Sequence, residues 1–172
     1  MDTKTKAQKE ILLSWGFRLG RESGRMSAVP AVLHCAESPV PSVDEAKIKE
    51  AGELYRLLYE TFNPLYAFLP DEEQLLSDIR AGNVLVSRAG GQIQGLLRLD
   101  RGKNYASASQ LLVTPENRGT GVATKLLEEF HRRYCDAPRF WHWVDLANQP
   151  AVSLYRKEGY AFDGRHANEY IK

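Results

Sequence analysis

Residues 115–124, Pro-Glu-Asn-Arg-Gly-Thr-Gly-Val-Ala-Thr, have the residue types needed to hold phosphate. Arg118 carries a permanent positive charge. Gly119 and Gly121 lack the Cβ atoms that would keep a phosphate oxygen away from the backbone. After them come Val122, Leu126, Leu127, Phe130 and Tyr134, three to five residues apart, with Lys125, Glu128, Glu129, Arg132 and Arg133 between. That spacing predicts one face of an amphipathic helix. Before them, Leu111, Leu112 and Val113 form an apolar run that must stop at Thr114-Pro115, because proline cannot donate to a ladder. The loop therefore lies between a strand and a helix. Its amides stand at a helix N-terminus, without intrahelical partners and at the positive end of the dipole. This is a cradle for pyrophosphate, although the same glycines also suit a plain connecting turn. The pattern argues against a nucleotide P-loop, because no Gly-Lys-Ser or Gly-Lys-Thr opens the helix. The dinucleotide fingerprint is absent too.

The other elements must position this loop. Residues 3–15 predict a short helix stopped by Gly16, and residues 17–26 have the length of a strand. Residues 28–37 read as another strand. The stretch Ser-Pro-Val-Pro-Ser-Val-Asp then breaks the chain, with Ser42 or Asp44 as helix cap. Ala51, Leu54, Tyr55, Leu58 and Phe62 make a helical stripe from Glu45 onward, and residues 71–80 a second short helix. Residues 83–88 and 92–100, joined across Gly90-Gly91, predict a hairpin. Residues 105–113 add a third strand. Residues 140–146 are an aromatic-rich strand that follows a helix, so it should run parallel to residues 105–113. Asn148 caps a helix to Glu158, Gly159 ends it, and two strands are expected to close the chain.

A chain of 172 residues suits one core without staples. With 43% hydrophobic and 26% charged residues, it has the composition of an ordinary soluble protein. The net charge of +1, from 23 basic and 22 acidic residues, argues against a nucleic-acid or membrane surface. Cys35 and Cys135 fit no metal pattern and read as buried free thiols. No run of eighteen apolar residues and no signal peptide is present, so a cytoplasmic location is expected.

Two separated motifs carry a family resemblance. Arg118-Gly-Thr-Gly-Val-Ala123, after a strand ending Val113-Thr-Pro115, resembles the acetyl-CoA signature of the GNAT N-acetyltransferases, Arg/Gln-x-x-Gly-x-Gly/Ala. Asn148-Gln-Pro-Ala-Val-Ser-Leu-Tyr155-Arg-Lys-Glu-Gly159-Tyr160 resembles that family's Asn-x-x-Ala-x-x-x-Tyr-x-Lys-x-Gly-Phe/Tyr segment. The resemblance covers residues 80–172 well, residues 30–80 loosely, and leaves residues 1–29 unexplained. It implies an α/β (α+β) fold: a mixed, mostly antiparallel twisted sheet with flanking helices and a splayed central parallel strand pair. Residues 30–172 would form the acetyltransferase domain. Residues 1–29 would be a helix-strand extension. Their Ser14-Trp-Gly-Phe17 resembles Lys157-Glu-Gly-Tyr160, as in a relic of a tandem repeat or the end of an upstream domain.

The family's site residues carry over one at a time. The backbone of Leu111, Leu112 and Val113 would pair with the pantetheine arm of acetyl-CoA. Arg118, Gly119, Thr120, Gly121, Val122, Ala123 and Thr124 would hold the pyrophosphate. Asn148 would contact the pantetheine side, and Tyr155 would point at the sulfur as general acid. The reaction implied is direct attack of an amine on the thioester. A lysine-like amine is neutral about once in 2,500 molecules at pH 7, a cost of roughly 4.6 kcal/mol that a general base would offset. Several relatives carry a glutamate on the strand before the loop, whereas residues 106–110 here hold no carboxylate. Asp100, Asp145, His142 and Glu60 are candidates by broad location alone, and His142, between two tryptophans, reads first as a packed residue. Phe62, Tyr66 and Phe68 read either as core or as the lining of an apolar acceptor groove. The expected acceptor is a small-molecule or peptide amine, and a homodimer is left open. The rival reading is a catalytically inactive acyl-CoA-binding sensor or interaction module.

Overall fold

The computed structural model describes residues 3–33 and 38–172. In chain order the elements are α1 (Thr3–Ser14), β1 (Arg18–Ala28), β2 (Val43–Glu45), α2 (Ala51–Thr61), α3 (Glu72–Arg80), β3 (Val84–Ala89), β4 (Gln92–Gly102), β5 (Tyr105–Val113), α4 (Val122–Arg133), β6 (Phe140–Asp145), α5 (Gln149–Lys157) and β7 (Ala161–Ile171). The described residues form one seven-stranded sheet in the order β2-β3-β4-β5-β6-β1-β7. Of its neighbouring pairs, β5–β6 is parallel and the rest are antiparallel.

The centre of the sheet is covered on both faces. Val84, Leu85 and Val86 are therefore all buried, with Leu85 facing α4 and its neighbours facing α2 and α3. The helix α4 sinks Val122, Leu126, Leu127 and Phe130 into the first of these cores. Burial of each such side chain contributes about 1.5–3 kcal/mol. Gly95 on β4 lets α4 approach closely. A Cβ there would lie 2.7 Å from the Leu112 carbonyl oxygen and 2.9 Å from Val122 Cγ1. On the opposite face, α3 is opened by Asp71, whose Oδ1 accepts from the Gln74 N–H at 2.7 Å.

Residues 3–28 form a helix and a strand that joins the sheet. The strand β1 lies inside the sheet between β6 and β7, with Ser23 opposite Asp145 and Met26 opposite His142. The units α1–β1 and α5–β7 share one local pattern: helix, a left-handed glycine (Gly16 at φ 80°, Gly159 at φ 90°), an aromatic residue, then a strand. The strands of these two units are antiparallel neighbours.

Four expectations are corrected. Residues 28–33 hold no separate strand. β1 ends at Ala28, and Pro30 opens a 3-10 turn, Pro30–Val32, where its fixed φ suits the first position; residues 34–37 lie outside the described residues. Neither Ser42 nor Asp44 caps a helix. Val43–Glu45 adds to the sheet as β2, where the ladder to β3 and burial of Val43 outweigh a local cap. The helix starts at Ala51, after a turn in which Glu50 Oε2 accepts from the Lys47 N–H at 2.6 Å. One strand, not two, closes the chain after Gly159, because β1 already fills the place beside β6. Cys135 is exposed rather than buried; Cys35 lies outside the described residues.

Candidate functional site

The glycine loop forms as its residue types dictate. Gly119 and Gly121 have φ of 76° and 85°, the left-handed region that strains a side-chain-bearing residue, and Gly121 is the N-cap of α4. The Lys125 N–H donates to the Gly121 carbonyl at 3.0 Å. Ahead of it, the N–H groups of residues 119–124 donate to no carbonyl among the described residues. A Cβ at either glycine would meet nothing within 4 Å, so the space over these amides is open. A relay of polar side chains pins the loop to β4. Gln94 Nε2 donates to Asn117 Oδ1 at 2.8 Å, Asn117 Nδ2 to Thr114 Oγ1 at 2.9 Å, and Thr120 Oγ1 to the Asn117 carbonyl at 2.6 Å. Arg118 is exposed and reaches only weakly back to the Val113 carbonyl, at 3.4 Å, so its guanidinium is available to an anion.

Beside the loop the sheet opens. Among the described residues β5 and β6 pair at Ala106–Phe140 and Ser107–Trp141 and nowhere further along. From Ala108 to Val113 the β6-facing edge of β5 has no strand beside it. A bulge accompanies the opening. Leu97 pairs with Leu111 and Leu99 with Ala108, which leaves Ser109 as the extra residue. The bulge puts Ala106 and Ala108, and then Leu111 and Val113, against the α4 core. Strand edges normally seek partners. An unzipped edge leading into free helix amides fits a ligand with amides at one end and phosphate at the other, and coenzyme A has that chemistry.

Tyr155 projects from α5 into the core beside β6. It is 7% exposed, and burial pushes its phenol well above the ordinary tyrosine range. Its ring lies 3.6 Å, centroid to centroid, from that of His142, and His142 lies 4.3 Å from Tyr160. The Tyr160 hydroxyl is within 2.7 Å of His131 Nε2. Burial lowers His142 to about 3, with His131 nearby adding to the effect, and lowers His131 to about 4. Burial thus favours the neutral form of the His142 imidazole. Asn148 spends its side-chain oxygen capping α5 by accepting from the Ala151 N–H at 3.2 Å.

Residues 80–161 match the profile of the acetyltransferase (GNAT) domain. This part of the chain is a GNAT acetyltransferase domain. Solved structures agree with the fold. A GCN5-related N-acetyltransferase from Sphaerobacter thermophilus superposes with TM-score 0.65 at 18% identity, over 96% of this chain and 55% of that one. An acetyltransferase of the GNAT family from Colwellia psychrerythraea gives 0.64 at 13%, over 95% and 62%. Rv2747 from Mycobacterium tuberculosis, solved with CoA and NLQ, gives 0.56 at 13%, over 67% and 70%. This chain spans little more than half the length of the first two. No curated protein sequence matches it.

Within the GNAT domain the structure brings Leu111, Leu112, Val113, Arg118 and residues 119–124 to one continuous edge and loop. Gln110, the residue after Ser109 on the loop side of the bulge, is tied up in hydrogen bonds. Its Oε1 accepts from Arg98 at 2.9 Å and its Nε2 donates to the Phe68 carbonyl at 3.1 Å. Of the base candidates, Glu60 is exposed on α2, and Asp100 accepts from the Tyr105 hydroxyl at 2.8 Å. Asp145 ends β6 and lines a hollow of about 290 Å³ together with Arg21, Glu22 and Tyr66. The three aromatics of the 62–68 stretch separate: Phe62 packs on the α2 core, Phe68 is 96% exposed, and Tyr66 lines the hollow. Arg21 holds Tyr66 by donating to its carbonyl and lying over its ring at 5.4 Å. Arg21, Glu22, Gln94 and Asn117 escaped the sequence reading. Only the Asn-to-loop spacing offered a local signal. The β1 residues reach the hollow through strand insertion, which no local pattern encodes. Among the described residues, no group of three or more His, Cys, Asp or Glu could hold a metal ion, and no helix is long and apolar enough to cross a membrane.

Proposed function

We propose that the protein is an acetyl-CoA-dependent N-acetyltransferase acting on a primary amine of a small molecule or peptide. The observation that carries this reading is the open β5 edge running into the unpaired amides of residues 119–124. Arg118 and the amides of Gly119, Thr120, Gly121, Val122, Ala123 and Thr124 bind the pyrophosphate. The backbone of Leu111, Leu112 and Val113 pairs with the pantetheine amides as an added strand would, and Asn148 borders that arm. Acetyl-CoA supplies an acetyl thioester. Tyr155, the buried phenol, keeps its proton at all working pH and gives it to the departing sulfur. Glu22 and Asp145, on the rim of the hollow beside Tyr66, attract the cationic amine, and Asp145 or an ordered water beside it takes the amine's proton.

One observation favours the rival, a CoA-binding module without turnover: Gln110 puts no carboxylate beside the bulge. Thiol release from acetyl-CoA with a panel of primary amines separates the two. The enzyme releases thiol with at least one amine, and Tyr155→Phe slows it by ~10²-fold or more while CoA still binds. CoA binding with no thiol release on any amine supports the module. Absence of CoA binding at millimolar concentration defeats both.

A further inference from the structure

His142 is placed where its chemistry has no use within the protein alone. It is the first residue of β6 past the last parallel pair, so it stands where the β5–β6 cleft begins. It is 1% exposed, yet among the described residues neither Nδ1 nor Nε2 has a hydrogen-bond partner. Its ring lies tilted against Tyr155 and Tyr160, at interplanar angles of 34° and 39°, in a core that also holds Phe140 and Val144. Phenylalanine would pack there with no orphaned nitrogens. Buried polar groups in native proteins almost always find a partner, and an unpartnered one is destabilising. The neighbouring buried histidine makes the contrast: His131 meets the Tyr160 hydroxyl.

We propose that His142 is a hydrogen-bonding residue of the cofactor site, whose imidazole edge engages the amide of the pantetheine arm nearest the sulfur while its face fixes the Tyr155 ring. This rests on the reading of the cleft as a CoA site. It assigns the imidazole to binding and positioning, not to proton transfer, since the ring stays neutral throughout. The partner must reach the vertex of the cleft, so the nucleotide end of CoA, held at residues 118–124, does not sense it.

The test compares wild type with His142→Phe and His142→Gln at pH 8, where the imidazole is neutral in folded and unfolded chains alike. Two ligands are titrated calorimetrically: CoA, and adenosine 3′,5′-bisphosphate, which lacks the pantetheine arm. For His142→Phe the expected result is a melting temperature equal to or above wild type, CoA affinity down by about tenfold or more, and unchanged nucleotide affinity. The apo protein gains by losing orphaned polar atoms, whereas the complex loses a partner. In the wild type, the ¹⁵N resonances of the His142 ring should shift on saturation with CoA and not with the nucleotide, a readout that needs no variant to fold. CoA affinity within twofold of wild type, equal weakening for both ligands, or ring resonances indifferent to CoA overturns the proposal. Should wild type bind neither ligand, the CoA-site reading itself fails, and with it the assignment of His142.

Discussion

The two buried histidines make stability depend on pH in a defined direction. His131 is 0% and His142 1% exposed, and burial holds them at about 4 and about 3, against 6.5 in the unfolded chain. Below pH 6.5 the unfolded chain takes up two protons that the folded chain refuses, so stability is full above that value and is lost as pH falls toward the folded values. Each group costs about 1.4 kcal/mol per pH unit once the unfolded imidazole is charged. Between pH 8 and pH 5 that amounts to about 2 kcal/mol apiece, or roughly 4 together, a large part of the 5–15 kcal/mol typical of a domain. Glu129, lowered to about 2, adds its own loss only below its unfolded value of 4.5, so the upper window belongs to the histidines. The perturbation is His142→Phe, which removes one proton from the difference and should roughly halve the slope. Urea unfolding followed by tryptophan fluorescence at half-unit steps of pH measures it. Equal unfolding free energies at pH 8 and pH 5 in wild type, or the same slope in the variant, would refute the burial argument.

Three other outcomes are expected. Gly121→Ala places a Cβ in open space but at φ 85°, so it should cost about 1–2 kcal/mol from backbone strain alone, lowering the melting temperature and weakening CoA; a variant that melts like wild type would show that the left-handed cap is not required. Arg118→Ala should weaken CoA by about tenfold and flatten the dependence of affinity on ionic strength, with melting unchanged, because the exposed guanidinium touches the fold only through one 3.4 Å contact. Glu129→Gln should cost about 2–3 kcal/mol in denaturant unfolding, because the buried carboxylate is held by Arg132, Arg133 and the Val40 N–H, and its loss leaves two guanidinium groups under-partnered.

The residues 84–160 were legible because their signals are local. The strand-length runs of β3 and β4 on either side of Gly90-Gly91, the proline stop after Val113, the glycines of the loop and the 3.6-residue stripe of α4 each act within a few residues of themselves. The glycine loop is therefore visible in the letters alone. Ser42 and Asp44 misled for the same reason: a good cap signal lost to β2, whose value comes from Val84–Ala89, forty residues away.

What the amino-acid order determined unaided is the cradle: a strand that must stop, glycines that must turn left-handed, and a helix that begins with free amides. What only the tertiary structure decided is the surroundings of that cradle. The β5–β6 pair opens after two residues, β1 inserts beside β6 and brings Arg21 and Glu22 to the hollow with Tyr66 and Asp145, and His142 is sealed against Tyr155 with no partner for its nitrogens among the described residues. Each of these depends on which distant segments share a ladder or a face. That choice is made by total burial and hydrogen bonding over the whole sheet, not by the preference of any one stretch.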